Sequence, residues 1–180
     1  MLNEIFWPYD YLPGTTDNFS SNEIIVKGIT AGDVFENLVD TSKWSTFYEG
    51  APDVVFHNGA GPVLFLGARF SYKTLELPME AEVVEFEPPE KDRPGRLAWH
   101  GWAAGDAEQR LDVLHAWLFE NMVVGRVRIL TQESQKGAPA KDLFNASPDM
   151  MNQTRQEWVK GLARVVVASK SRRANKSNSK

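Results

Sequence analysis

SPDMMNQTRQEWVKGLARVVVASK (147–170) is the most regular stretch of the chain. Ser147, Pro148 and Asp149 read as N-cap, N1 and N2 of a helix: a side-chain acceptor for the first N–H groups, a pre-set φ, and a negative charge at the positive helix end. Beyond them Met151, Thr154, Trp158, Leu162 and Val165 recur at three- and four-residue spacing and define one stripe. Arg155, Glu157, Lys160 and Arg164 fall mostly off it. A helix from Pro148 to about Lys170 would be ~35 Å long.

Such a stripe needs a surface to cover it, and the preceding chain supplies strands. Candidates are 53–58, 63–66, 69–76, 79–87, 95–103, 111–120 and 126–135, after a first strand from Asn22 to Ile29 with Ile24 and Val26 on one face. Turn signals separate them: Asn58-Gly59-Ala60-Gly61-Pro62, Leu77-Pro78, Pro88-Pro89 to Pro94-Gly95, Gly105-Asp106 and Val124-Gly125. Short strands with short loops make an antiparallel meander. Between the first strand and the rest, Gly32-Asp33 opens a short helix carrying Val34, Phe35, Leu38 and Val39. A second helical turn holds Trp44, Phe47 and Tyr48 and ends at Gly50-Ala51-Pro52. The expected fold is therefore α+β: a curved antiparallel sheet of six to seven strands gripping one long C-terminal helix, with two short helices after the first strand.

Residues 1–20 are rich in aromatics and turns (Phe6, Trp7, Tyr9, Tyr11, Pro13, Gly14) and read as an arm packed on a body at 21–170. Residues 171–180 read as a disordered basic tail. The last twelve residues carry Lys170, Arg172, Arg173, Lys176 and Lys180; without these five positive charges the net charge goes from −4 to −9. An acidic body argues against a nucleic-acid groove on the domain. The tail itself is either an anchor for anionic surfaces or a solvated end. The start, MLNEIFWPYD, lacks a basic n-region and an apolar h-region, so no secretory leader is expected. No run reaches ~18 apolar residues, so no membrane span is expected, and a cytoplasmic location is the default. With no Cys, disulfides, thiolate metal sites and a Cys nucleophile are excluded.

The element order resembles the SRPBCC superfamily, which includes START-like lipid-transfer domains, the birch-pollen-allergen fold and polyketide cyclases. ITAGDVFENLVDTSKWSTF (29–47) is similar to its strand–helix–helix opening, and RLAWHGW (96–102), after EFEPPEKDRPG, to its central strand. HAW (115–117) and GRVRILTQESQKG (125–137) are similar to its penultimate hairpin. The resemblance covers about residues 21–170 and implies a helix-grip fold with a cavity. The family's functions range from lipid carriage and hormone binding to polyketide cyclisation and chaperone activation, so the resemblance alone assigns no reaction.

Of three His, His115 shares strand parity with Trp117 and Phe119, which marks its face as the buried one. A hairpin near 121–125 would bring it opposite Thr131 or close to Glu133. Such a pair would transfer protons, hold a polar ligand head or serve structure alone. Glu133, if unpaired in an apolar cavity, would stay protonated. Phe70, Tyr72, Trp99, Trp117, Met151 and Trp158, together with His115 and Thr131, are the expected ligand-binding set, and His115 with Glu133 the expected catalytic pair. His100 should face outward, and His57 should sit at a rim before Asn58-Gly59. No two His share metal-ligand spacing, GAGPVLFLG (59–67) is no phosphate loop, and no cofactor is expected.

The leading expectation is a protein that binds a small hydrophobic or aromatic molecule. A cyclase- or dehydratase-type enzyme of the same fold and an interaction protein of the chaperone-ATPase-activator kind are the alternatives. A weak dimer is the open question of assembly. A cavity above ~300 Å³ would favour the first two readings, and a large exposed apolar patch the third.

Overall fold

The computed structural model describes residues 2–49, 53–74, 77–107 and 109–177. Seven antiparallel strands form one sheet in the order β1-β7-β6-β5-β4-β3-β2. They are β1 (Asn18–Lys27), β2 (Val55–Phe56), β3 (Arg69–Thr74), β4 (Leu77–Glu87), β5 (Gly95–Ala103), β6 (Asp112–Met122) and β7 (Arg126–Lys136). Helices α1 (Ala31–Leu38) and α2 (Trp44–Phe47) follow β1, and α3 (Ala138–Ala146) and α4 (Met150–Ser177) end the chain. This is the helix-grip arrangement. Among the described residues no helix is long and apolar enough to cross a membrane.

Alternation places the core. Leu97 and Trp99 of β5, Trp117 and Phe119 of β6, and Val127 and Ile129 of β7 are all buried on the concave side. In β4 the parity has to change, because Met79, Ala81 and Val83 point inward and so does Phe86. A bulge between Val83 and Glu85 absorbs the extra residue and leaves Val84 exposed. The convex side of β5–β7 is not left to water. Ile5 of the N-terminal segment covers Ala98, Ala116, Leu118 and Leu130, with Trp7 at the margin. Arg96 and Arg128 hold that segment by donating to the carbonyls of Glu4 and Asn3.

Helix α4 lies across the concave face with Trp158, Val159, Leu162, Ala163 and Val166 in the core. The buried stripe is thus rotated from the expected one: Thr154 and Val165 lie at its edge, and Thr154 turns its hydroxyl onto its own helix. At Gly161 the helix touches the backbone of α2, where a Cβ would overlap the carbonyl oxygen of Phe47. Lys170 reaches Asp33 of α1 at 2.6 Å, and Asp33 also closes the capping box with Thr30.

Several boundaries differ from the sequence reading. Residues 63–66 form no strand; Leu64 bonds Val39 and is buried as a plug, and only Val63 bridges to Asp40. Leu77-Pro78 lies inside β4, paired with Thr74 and Lys73, and is not the turn it was read as; residues 75–76 lie outside the described residues. The helix terminator at 50–52 is outside them too. Helix α3 was not expected, because a short, weakly patterned segment after Gly137 resembles a loop. Ser147-Pro148-Asp149 is a turn, and α4 begins just after it. That helix also runs to Ser177 and takes in most of the stretch read as a disordered tail. Nothing between Lys170 and Ser177 stops a helix, and cations suit its negative end.

The close α2–α4 approach yields a test with a reversed sign. Gly to Ala in a helix interior normally stabilises by ~1 kcal/mol. Gly161→Ala should instead destabilise, by about 1–3 kcal/mol, because the added methyl forces the elements apart. Urea denaturation midpoints of the two proteins measure it; a gain in stability would contradict the packing.

Candidate functional site

Between α4 and the concave sheet a narrow cleft opens on the side of β3 and α2. Aromatic side chains make most of its wall: Trp44 and Tyr48 after α1, Phe70 and Tyr72 from β3, Trp99 from β5, and Trp158 from α4. His115, Glu133 and Arg155 supply the polar wall, with Lys73, Thr74 and Val113 completing it. The enclosed volume is about 30 Å³, room for on the order of one or two water molecules. Among the described residues this cleft is thus largely filled by aromatic rings, and it is far smaller than the cavity the fold resemblance led us to expect.

The hairpin β6–β7 sets His115 directly opposite Glu133 and Trp117 opposite Thr131. His115 Nδ1 lies 3.2 Å from Glu133 Oε2, and His115 Nε2 lies 2.8 Å from Thr131 Oγ1. Both expected polar neighbours are thus partners, one on each ring nitrogen. The imidazole is packed among Trp99, Trp117 and Trp158, at centroid distances of 4.5, 5.3 and 5.4 Å. Burial holds His115 far below its ordinary 6.5, near 3, against the pull of Glu133. It is neutral at physiological pH, so Nδ1–H donates to Glu133 and the Thr131 hydroxyl donates to Nε2.

Glu133 is the hub. Arg155 Nε donates to Oε2 across the sheet–helix interface, and Gln135 Nε2 donates to Oε1 at 2.6 Å. Asn18 of β1 in turn steadies Gln135 at 3.3 Å. Burial alone would raise the Glu133 carboxyl, but the charge of Arg155, with His115 and the hydrogen bonds, outweighs it and holds the group at about 2. Glu133 is therefore charged, not the protonated acid an unpaired residue would be. Burial and the Glu133 charge push the Tyr72 hydroxyl above its usual range.

Arg155 is the member that the sequence reading set aside. Met151, Arg155, Trp158 and Leu162 are four, three and four residues apart, so Arg155 lies on the buried stripe; only its charge argued against placing it there. Its guanidinium lies 5.7 Å from the Trp158 ring. Nε alone has a hydrogen-bond partner among the described residues; the terminal nitrogens have none. The indole N–H of Trp158 is also buried and unpartnered.

Of the expected ligand-binding set, Phe70, Tyr72, Trp99, His115 and Trp158 come together on the cleft wall. Trp117 and Thr131 lie behind His115, and Met151 is buried one turn before Arg155 without joining the wall. Trp44, Tyr48 and Arg155 were not expected. His100 faces the convex side and bonds Asp112 at 2.9 Å, and His57 meets Glu80 at the surface at 2.9 Å. Among the described residues no group of three His, Asp or Glu side chains is placed to hold a metal ion.

No protein-family model matches the chain, and no curated protein matches it. Among solved structures, a hypothetical protein of Helicobacter pylori is similar at 42% identity, covering 92% of this chain and 98% of that one, with a TM-score of 0.85. A point mutant of norcoclaurine synthase from Thalictrum flavum, bound to a transition-state analogue, is similar at 9% identity. It covers 85% of this chain and 96% of that one, with a TM-score of 0.58. The di-domain ARO/CYC protein BexL of the BE-7585A biosynthetic pathway is similar at 14% identity over 82% of this chain and 45% of that one, with a TM-score of 0.55. The last two likenesses concern the fold alone. The chain belongs to one family with the Helicobacter pylori protein.

The burial of His115 and the pairing of Glu133 with Arg155 fix the sign of the stability change with pH. The unfolded chain takes up a proton at His115 below 6.5 that the native protein refuses until about 3. The native state therefore loses stability as pH falls through that window, by up to about 1.4 kcal/mol per pH unit. Glu133, lowered from 4.5, adds a second loss only below 4.5. His115→Gln should flatten the profile between pH 6.5 and 4.5 and keep the steeper fall below it, as read by urea denaturation at each pH. An unaltered profile would mean that His115 is not buried neutral.

Proposed function

We propose that this protein, whose helix-grip fold resembles that of the SRPBCC superfamily, binds a small, flat, largely apolar molecule in the cleft between α4 and the sheet. One observation carries the reading: a cleft walled by aromatic rings contains hydrogen-bond donors, on Arg155 and Trp158, that have no partner among the described residues. A folded chain seldom leaves a buried donor such as the Trp158 N–H unmatched, and a ligand acceptor would match it beside the partly exposed fork of Arg155. Five residues read from the sequence as ligand-binding stand on this wall, and the superfamily's range of small-ligand proteins agrees with it.

The enclosed space takes only a compact head group. A larger ligand body has a natural place, because Tyr48 stacks on Trp158 at 5.0 Å with the rings 5° from parallel. Tyr48 is half-buried, at the point where the backbone leaves α2. A ligand ring that took its place would exchange one stacking contact for another. The enzymatic alternative through His115 is less favoured, because both imidazole nitrogens are engaged by Glu133 and Thr131 and neither is left to face a substrate.

Removing the competing ring tests the reading. A stacked aromatic pair is worth ~0.5–1.5 kcal/mol, so Tyr48→Ala should bind a neutral aromatic probe such as benzamide roughly 2- to 12-fold more tightly than the natural protein. The change in tryptophan fluorescence on titration gives both affinities. Loss of the benzamide signal in both proteins, or tighter binding by the natural one, would sink the proposal.

A further inference from the structure

Resting on that reading, we propose that the ligand is a small carboxylate taken up together with one proton, the carboxylate on the terminal N–H groups of Arg155 and the proton on His115.

The argument begins with charge. A buried site tolerates internal ion pairs far better than a net charge. Here Glu133 is negative, Arg155 is positive and His115 is neutral, so the cluster is balanced. The guanidinium presents a fork, and the Glu133 bond uses Nε alone. The terminal nitrogens suit the two oxygens of a carboxylate, the pairing for which a planar guanidinium is best shaped. An anion placed there alone would leave the cluster with a net negative charge, so one proton from solvent restores the balance.

The groups around His115 leave one good acceptor for that proton. Facing it are Glu133 from β7, Arg155 from α4 and Tyr72 from β3, with Tyr48 of the α2 end and Lys73 of β3 further along the cleft wall. Arg155 and Lys73 are cationic already, and the tyrosine hydroxyls already carry their protons. Glu133 accepts hydrogen bonds on both oxygens, from Arg155, His115 and Gln135, and protonating it would disrupt them. His115 has a built alternative. Thr131 Oγ1 lies 2.8 Å from His115 Nε2 and 3.1 Å from the carbonyl oxygen of Ala116. With neutral His115 the hydroxyl donates to Nε2. When Nε2 gains a proton it donates to Oγ1, and the hydroxyl turns to the Ala116 carbonyl. Rotation of one O–H thus keeps the imidazole paired on both nitrogens in either state, while Nδ1–H stays on Glu133 throughout.

The assignment gives the ligand a class and the site a pH dependence. Carboxylate binding should weaken about tenfold per pH unit wherever His115 is neutral in the unliganded protein and protonated in the complex. A neutral amide of the same shape should bind with no such dependence.

Isothermal titration calorimetry of the full chain with benzoate and with benzamide, at pH 6, 7 and 8 and in buffers of different ionisation heat, reads the proton count. Benzoate should bind with close to one proton taken up and lose about tenfold in affinity per pH unit, whereas benzamide should take up none. His115→Gln should bind benzoate at least tenfold more weakly at pH 6, with neither proton uptake nor pH dependence. The paired variant Arg155→Met with Glu133→Gln leaves no uncompensated charge; it should lose benzoate binding and keep benzamide binding within a few-fold. Benzoate binding without proton uptake, or an unchanged pH dependence in His115→Gln, overturns the proton-linked assignment. Binding of benzamide but not benzoate overturns it as well and leaves the aromatic cleft reading standing. Binding of neither probe removes both.

Discussion

Glu133 on β7 and Arg155 on α4 form the ion pair on which the rest of the interior depends. It is a polar contact that ties the helix to β7, the strand next to the edge strand β1. It also sets the charge that the neighbouring polar groups face. Arg155 keeps Glu133 ionised, the ionised carboxylate fixes the His115 tautomer through Nδ1, and Thr131 closes the other side of the ring. A buried pair of this kind is seldom worth its desolvation as a stabilising device. Its presence among four tryptophans (Trp44, Trp99, Trp117 and Trp158) points to a use other than stability.

The surroundings are arranged to keep that pair in place. Gln135 and Asn18 extend the network to the edge strand β1, and Asn22 of β1 donates to the Asn152 carbonyl and the Gln156 side chain on α4. Gly161 allows α2 to come close enough for Trp44 and Tyr48 to reach Trp158. On the convex side the N-terminal segment covers Ala98, Ala116 and Leu118, so the strands that carry His115 and Trp99 are buried on both faces. Elements buried on both faces fluctuate less than half-exposed ones, which suits a site that relies on fixed hydrogen-bond directions.

Much of this was legible in the sequence, for identifiable reasons. Strands β3 to β7 showed as short apolar runs between turn signals. His115 was placed inside by its parity with Trp117 and Phe119, which is a property of any strand. The bulge in β4 was not legible, since it becomes evident only when Phe86 has to face the same side as Val83. Nor was Arg155, where helical spacing and residue charge gave opposite answers and spacing was the better guide. The cleft's small volume follows from the rotamers of several indoles, and no linear pattern encodes those. Trp44 and Tyr48 were recognised as a helical turn, but their reach to Trp158 depends on the three-dimensional approach at Gly161.

The central claim is a charge-balanced cluster in which Glu133 and Arg155 are ionised and His115 is neutral, with its proton on Nδ1. Nitrogen-15 NMR of the imidazole in the unliganded protein measures this directly. The account predicts a neutral ring with Nδ1 protonated from pH 8 down to pH 5, with no titration near the ordinary histidine value of 6.5. A ring that is protonated at pH 6, or neutral with its proton on Nε2, would contradict it.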